Sequence, residues 1–400
     1  MAIRCFSSNT FHFLTPSLPP KPGRLRPLDG LRGLAALLVF FEHFTRLFSS
    51  YPTEYGAGGL WFEIPLAVLS NGATAVALFF VLSGYVLTHS VLSAPDRSIA
   101  RAVLARWPRL IPLVLLSVVL AWVVIRMQWA PILQTAAMTH SSWVGRIQAN
   151  ALVQWPVWSL SDALVKGVVL TFFRTDVLPF ANPSLWTLKT ELLGSFMVYG
   201  IVAVMRLSPP REVRVALGII AVLCLFNDPH LCLFVLGAGL AHHHHQVAPS
   251  TSNASAYTKF KPLLTGVALG LCLVVLAFHN PVVGVFPVGE IFRNSGSIKG
   301  ILLNGAMSVL LIHVCMQANW LGRGLSHPAL THLGNISFAF YVLHFPLLLS
   351  VGAAVFLALY SLSNHTFAIA GALITTIGVT LLLSAWATKL DGHWRRFLRP

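Results

Sequence analysis

The chain has 400 residues, of which 56% are hydrophobic and only 10% charged, with a mean hydropathy of +0.74. A soluble domain carries about 25% charged residues, so a water-soluble protein of this size is excluded and a single lipid-embedded bundle fits better than several domains. The formal net charge of +15 comes from basic residues dispersed between apolar runs, which argues against a nucleic-acid surface and for membrane topology.

Residues 1–27 hold Arg4, Lys21, Arg24, Arg26 and several prolines, without the apolar core of a signal peptide, and read as a cytosolic tail. Apolar runs follow at 31–48, 73–92, 110–127, 186–205, 213–227, 231–241, 263–279, 300–317, 336–358 and 367–387. A crossing needs about 20 residues, so the sixth run is short enough to be tilted or re-entrant. The expected fold class is an all-α integral membrane protein, a polytopic bundle of about ten transmembrane helices. The expected division is a tail at 1–27, a membrane domain at 28–390 and a cytosolic tail at 391–400. With both termini in the cytosol, most of the 27 Lys and Arg residues fall on the cytosolic side, among them Arg97, Arg101, Arg106, Arg109, Arg206, Arg211 and Arg214. The segment 126–185 holds no clear span; its ALVQWPVWSL piece, broken by Pro156, fits the non-cytosolic interface or a re-entrant cap. Of the five cysteines, Cys5, Cys224, Cys232, Cys272 and Cys315, four lie inside apolar runs and read as small buried hydrophobes.

The first span, RPLDGLRGLAALLVFFEHF, carries Arg32, Glu42 and His43. Ionisable groups inside a span cost about 2.5–3.5 kcal/mol each and face a bundle interior or wet cavity. Eleven positions separate Arg32 from His43, about 1100° of helix, which leaves them about 20° apart on one face and about 16 Å apart along the axis. An anion binder then sits at the cytosolic mouth and a proton acceptor deep inside one and the same cavity, near the bilayer centre, since neutral imidazole can take a proton from a hydroxyl. The alternative for an isolated histidine is interhelical bonding in the core.

In RAVLARWPRLIP, Arg101, Arg106 and Arg109 precede the third span. Their guanidinium groups either bind the phosphates of a CoA-like donor or set topology. In NPSLWTLKTELLGSF, Glu191 lies inside an apolar helix, where it can orient an imidazole, bind an acceptor hydroxyl or pair with an arginine, while Asn182, Ser184 and Trp186 are candidates to line an acceptor pocket. In LGNISFAFYVLHFPLLL, Ser337, Tyr341 and His344 share one helix face and either line the cavity of His43 or serve as interhelical glue. The run His242 to His245 reads as a solvated juxtamembrane loop, because four consecutive histidines cannot all turn to one ion. No metal site is expected, and no GxSxG elbow, HExxH motif or Walker loop is present.

Together these motifs resemble the membrane-bound acyltransferase family 3. The opening segment RPLDGLRGLAALLVFFEH supplies its Arg, ten intervening residues and His, as Arg32 and His43, and FFVLSGYVL, RWPRLIP, SLWTLKTE and LGNISFAFYVLHFP follow in order. The resemblance spans about 25–390 and implies a ten-helix bundle that moves an acyl group from cytosolic acyl-CoA to a hydroxyl of a carbohydrate, lipid or small metabolite. It assigns Arg32 and the arginine cluster to the donor and His43 to catalysis. Many members have two adjacent arginines where this chain has Ala105 before Arg106, which weakens the donor contact there or shifts it to Arg101.

The sequence-based expectation is therefore an acyl-CoA-dependent O-acyltransferase using a short chain such as acetyl, with no permanently bound cofactor. His43 is the base, Glu191 or Glu42 assists, Arg32, Arg101, Arg106 and Arg109 hold the donor, and Ser184, Trp186, Tyr341 and His344 contact the acceptor. A multi-pass transporter of an acyl donor or metabolite is the alternative, since polar intramembrane cavities also mark substrate pathways. A non-catalytic sensor or scaffold is the third.

Overall fold

The computed structural model describes residues 25–48, 68–96, 98–126, 131–141, 159–173, 182–246, 265–272 and 296–397, and among them the regular elements are helices, with no strand. Helix α1 (Arg26–Phe48) carries Asp29 in its first turn and Arg46 in its last, matching the helix dipole at both ends. Asn71 caps α2 (Gly72–Leu92) by accepting from the Thr74 amide at 3.0 Å, and Ser98 caps the short α3 (Ile99–Leu104). Then come α4 (Arg106–Arg126), α5 (Pro131–Thr139) and α6 (Leu160–Leu164), the last opened by a Ser159–Asp162 capping box. A single 3-10 turn, Pro183–Trp186, leads into α7 (Thr187–Leu207), followed by α8 (Pro210–Asn227) and α9 (Pro229–Gln246). The C-terminal part comprises α10 (Ile298–Gln317), α11 (Asn319–Leu325), α12 (Pro328–Leu347), α13 (Ala353–Leu362) and α14 (His365–Phe397).

Among the described residues, six segments are long and apolar enough to cross a membrane: Gly72–Leu92, Ile99–Arg126, Pro183–Leu207, Ile298–Gln317, Pro328–Leu362 and His365–Trp394. The fold is thus that of a helical integral membrane protein. Helix α1 has the length but carries Asp29, Arg32, Glu42 and Arg46, and α8 and α9 have 18 residues each. Of the run at 263–279 only 265–272 is described, as helix, while the N-terminal tail to residue 24 and nearly all of the ALVQWPVWSL piece lie outside the described residues. The run at 231–241 is not a fragment but the middle of α9, and the histidines expected in a loop form its last turn, with His242 buried. Large apolar side chains face outward along α8 (Val215, Ile219, Phe226) and α14 (Ile374, Leu382, Trp386), as helices facing lipid require.

Two helices carry internal prolines. Pro346 in α12 removes the N–H that would bond the carbonyl of Val342 four residues earlier. That carbonyl instead accepts from Ser117 Oγ of α4 at 2.5 Å and from Asn182 Nδ2 at 2.7 Å. Likewise Pro112 in α4 frees the carbonyl of Pro108, which accepts from Trp394 Nε1 of α14 at 2.8 Å. After Pro346 the chain widens into a π turn, Leu348–Gly352, before continuing as α13.

Helices α1 and α12 run parallel, since Arg32 meets Ser337, Phe40 meets Phe340 and His43 meets His344 in ascending order. They approach closely because glycine faces glycine: a Cβ on Gly33 would lie 2.8 Å from the Gly334 amide nitrogen, and one on Gly334 would run into the Asp29 carbonyl. At the far end of α1, Phe40, Phe44 and Phe48 pack with Phe340, Phe345 and Phe356 into a second buried cluster. Gly334→Ala is therefore expected to push α1 off α12 and cost about 1–3 kcal/mol by overpacking, whereas Gly378→Ala, whose Cβ would meet nothing within 4 Å, should leave thermal unfolding in detergent unchanged.

Candidate active site

His43 Nδ1 lies 2.7 Å from His344 Nε2, with the rings parallel within 9° and centroids 5.0 Å apart. His344 Nδ1 lies 2.7 Å from the carbonyl of Tyr341. A carbonyl only accepts, so His344 Nδ1 carries a proton and, in the neutral ring, Nε2 must accept. His43 Nδ1 is then the donor, and the hydrogen-bond network assigns Nε2 as the proton-accepting nitrogen of neutral His43. Phe345, edge-on at 5.4 Å, helps fix the plane of the ring.

His43 lines a cavity of about 300 Å³ together with Glu42, Trp186, His230, Asn304 and Tyr341. Glu42 forms an i,i+4 ion pair with Arg46 at 2.5 Å. A second cavity, about 390 Å³, is lined by Arg32, Ser83, Arg106, Arg109, Glu191, Ser337 and Tyr341 among others. Val76 and Tyr341 line both, so the two spaces adjoin at a seam formed by these side chains.

The arginine-bearing cavity is organised around Glu191. Its carboxylate pairs with Arg106 and accepts from Ser83 Oγ at 3.0 and 3.1 Å. Arg106 Nε donates to Ser195 Oγ at 2.8 Å, and Ser195 in turn donates to the Glu191 carbonyl at 2.6 Å. Arg32 Nε donates to Ser337 Oγ at 3.2 Å. Small hydroxyls on α2, α7 and α12 thus hold two guanidinium groups and a carboxylate where bulk water does not reach freely.

The expected site residues divide between these places. Arg32, Arg106 and Arg109 line one cavity; His43, Glu42 and Trp186 line the other; Tyr341 lines both. Glu191, expected beside His43, lies in the other cavity on Arg106, a pairing between distant segments that local spacing does not encode. His344 lines neither: it is fully buried behind His43 and positions it. Ser184 is buried too, and its carbonyl accepts from the Tyr341 hydroxyl at 2.9 Å, while Asn182 is occupied at the Pro346 break. Arg101 is exposed on α3, away from both linings. His230 and Asn304 were not singled out from the sequence. No group of three or more His, Cys, Asp or Glu among the described residues is arranged to hold a metal ion.

Apolar helices around a paired imidazole and an arginine-lined cavity define a helical membrane protein with two polar cavities in its interior. A family model described as an acyltransferase domain, acyltransferase family 3, matches residues 26–384, and the chain belongs to that family. Acyltransferase MdmB of Streptomyces mycarofaciens is 25% identical over 343 residues, covering 82% of this chain and 80% of the relative. Acyltransferase R4 of a Phoma species is 26% identical over 226 residues, 44% of this chain and 48% of the relative. No solved structure matches the chain. Membership in an acyltransferase family sets the transporter reading aside.

Arg106→Ala removes the partner of a mostly buried carboxylate and is expected to destabilise the protein by about 3–5 kcal/mol. Adding Glu191→Gln should recover much of the loss, read as the midpoint of thermal unfolding in detergent. An Arg106→Ala protein as stable as the parent would show that the pair carries no structural load.

Proposed function

We propose that the protein transfers a short acyl group, such as acetyl, from acyl-CoA to a hydroxyl of a small metabolite, carbohydrate or lipid. The observation that carries this reading is the pair of adjoining cavities that share Val76 and Tyr341 in their walls, one lined by Arg32, Arg106 and Arg109 and the other by His43. Guanidinium groups suit the phosphates of CoA, and the acyl-bearing arm would reach the seam. Arg206, which donates to the carbonyls of Val91 and Ala94 at 2.9 and 3.2 Å, joins the arginines of α3 and α4 at the same end of the bundle. The positive-inside rule puts that end in the cytosol, where acyl-CoA is made available.

In the proposed reaction His43 Nε2 takes the acceptor hydroxyl proton as the oxygen attacks the thioester carbonyl. The C–S bond breaks, the CoA thiolate receives that proton from the imidazolium, and the products are the ester and free CoA. His344 steadies the imidazolium through the Nδ1–H bond throughout. Acceptor-dependent release of CoA thiol from acetyl-CoA by the purified protein tests the activity, with a metabolite extract as the acceptor source.

His43→Ala should still bind acyl-CoA but lose about 10²–10⁴-fold in turnover, the contribution of a positioned general base. His344→Ala should lower turnover in the same direction with donor affinity kept. A well-folded His43→Ala protein turning over at the parental rate would sink the mechanism.

The seam sets acyl length in this scheme. Val76→Ala should raise kcat/KM for hexanoyl-CoA relative to acetyl-CoA by about tenfold, the discrimination that a methylene or two supports in an apolar pocket. An unchanged ratio would place the acyl chain elsewhere.

A further inference from the structure

His230 lines the same cavity as His43 but reaches it from the start of α9 and carries a carboxylate partner of its own. Its Nδ1 lies 3.1 Å from Asp228 Oδ1, which also accepts from the His230 amide at 3.0 Å. The other carboxylate oxygen, Oδ2, accepts from Thr190 Oγ1 at 3.2 Å. The carboxylate is thus fixed on both oxygens and holds the imidazole with Nδ1–H toward it, so Nε2 is the nitrogen left to meet a ligand. Trp186 and Phe80 stand edge-on to the ring at 5.3 and 6.0 Å and fix its plane. Asn304 lines the same space, with its Oδ1 already accepting from Thr74 Oγ1 at 2.7 Å.

A cavity that served an isolated alcohol would need polar groups only where the reacting hydroxyl sits. Here Glu42 is already paired with Arg46 and Asn304 Oδ1 already accepts from Thr74, but His230 adds an imidazole nitrogen beyond His43, and a monohydroxylic acceptor would displace water from it without replacing the hydrogen bond. A site built to hydrogen-bond a second hydroxyl discriminates strongly against a ligand that lacks it.

Resting on the acyl-transfer reading above, we propose that His230, oriented by Asp228, is an acceptor-binding residue, and that the acceptor is a molecule with a second hydroxyl close to the one acylated. The imidazole Nε2 accepts from that second hydroxyl while His43 takes the proton of the first. No covalent step is added: the second hydroxyl keeps its proton and serves as the handle that sets the first in line with the thioester.

The test uses the full chain in detergent micelles with acetyl-CoA and two probe acceptors of matched shape, cyclohexanol and cis-1,2-cyclohexanediol, with acetyl esters quantified by mass spectrometry. The diol is expected to show kcat/KM at least about tenfold above the mono-alcohol, the result of one hydrogen bond to a group that is otherwise left unpaired. In His230→Ala that preference should collapse through a higher KM for the diol, with acetyl-CoA affinity by calorimetry within about twofold of the parent. His230→Gln, which keeps a hydrogen-bonding group near the Nε2 position, should restore part of the preference and guards against a variant that merely misfolds. Asp228→Asn should fall between, since it loosens the ring without removing it. Equal kcat/KM for the two probes in the parent, or a diol preference that survives in His230→Ala, would overturn the second-hydroxyl site and leave acyl transfer standing. Ester from neither probe would count against acyl transfer to small alcohols and against this inference together.

Discussion

The carbonyl of Val342, stripped of its helical partner by Pro346, cannot turn to water inside a bilayer and must be satisfied from another helix. Ser117 of α4 and Asn182 before α7 meet it together, and Asn182 also donates to Ser117 at 2.9 Å. One missing N–H therefore binds three segments at a single level of the bundle. That level is also the level of the paired imidazoles: Tyr341 immediately precedes Val342, and His344 follows by two residues. The Tyr341 hydroxyl reaches the Ser184 carbonyl, and His344 Nδ1 reaches the Tyr341 carbonyl. With α1 pressed against α12 at Gly33 and Gly334, His43 has little freedom to leave His344.

The same demand for paired polar groups shapes the other cavity. Arg106 and Glu191 would each be expensive alone in a low-dielectric interior, and together they are held by Ser83 and Ser195. An arginine already bonded to a carboxylate remains available to a phosphate, because guanidinium has five donors and phosphate offers a denser set of acceptors than one carboxylate. The positive charge of the cavity is thus partly neutralised by Glu191.

That Arg32 and His43 share a helix face was legible in the sequence because it is a property of one helix, but the single cavity expected for both is corrected by the structure, where the two line adjoining cavities, because what fills the space between them comes from other helices. The apolar runs were legible for the same local reason. Glu191 was visible as an unusual residue, but its partner Arg106 sits on a helix 85 residues earlier, so the choice between orienting an imidazole and pairing with a guanidinium needed the fold. His344 was visible on a polar stripe, yet whether it faces a ligand or backs another histidine depends on the α1–α12 register. The short dipeptide Asp228-Pro229 before His230 was a signal that could have been read: Asp ahead of a proline-started helix caps it and can reach back to a nearby side chain. The histidine run misled because polarity suggested a loop where α9 continues, with His242 buried, His244 held between Tyr85 and His313, and His243 and His245 exposed.

Separating the two cavities also solves an electrostatic conflict. Cations that attract a phosphorylated donor repel the imidazolium formed when a base takes a proton, and at short range in a low-dielectric interior that repulsion is strong. Arg32 escapes the conflict by distance, since eleven residues carry it about 16 Å down the helix from His43. Arg46 lies less than one turn from His43, and its pairing with Glu42 at 2.5 Å weakens the repulsion without removing it. Glu42 therefore need not touch a substrate to matter: an ion pair beside the base presents a dipole where a lone guanidinium would present a full charge. One cavity thus gathers Arg32 and Arg109 around the Arg106–Glu191 pair, while beside His43 the nearest guanidinium, that of Arg46, is held by Glu42.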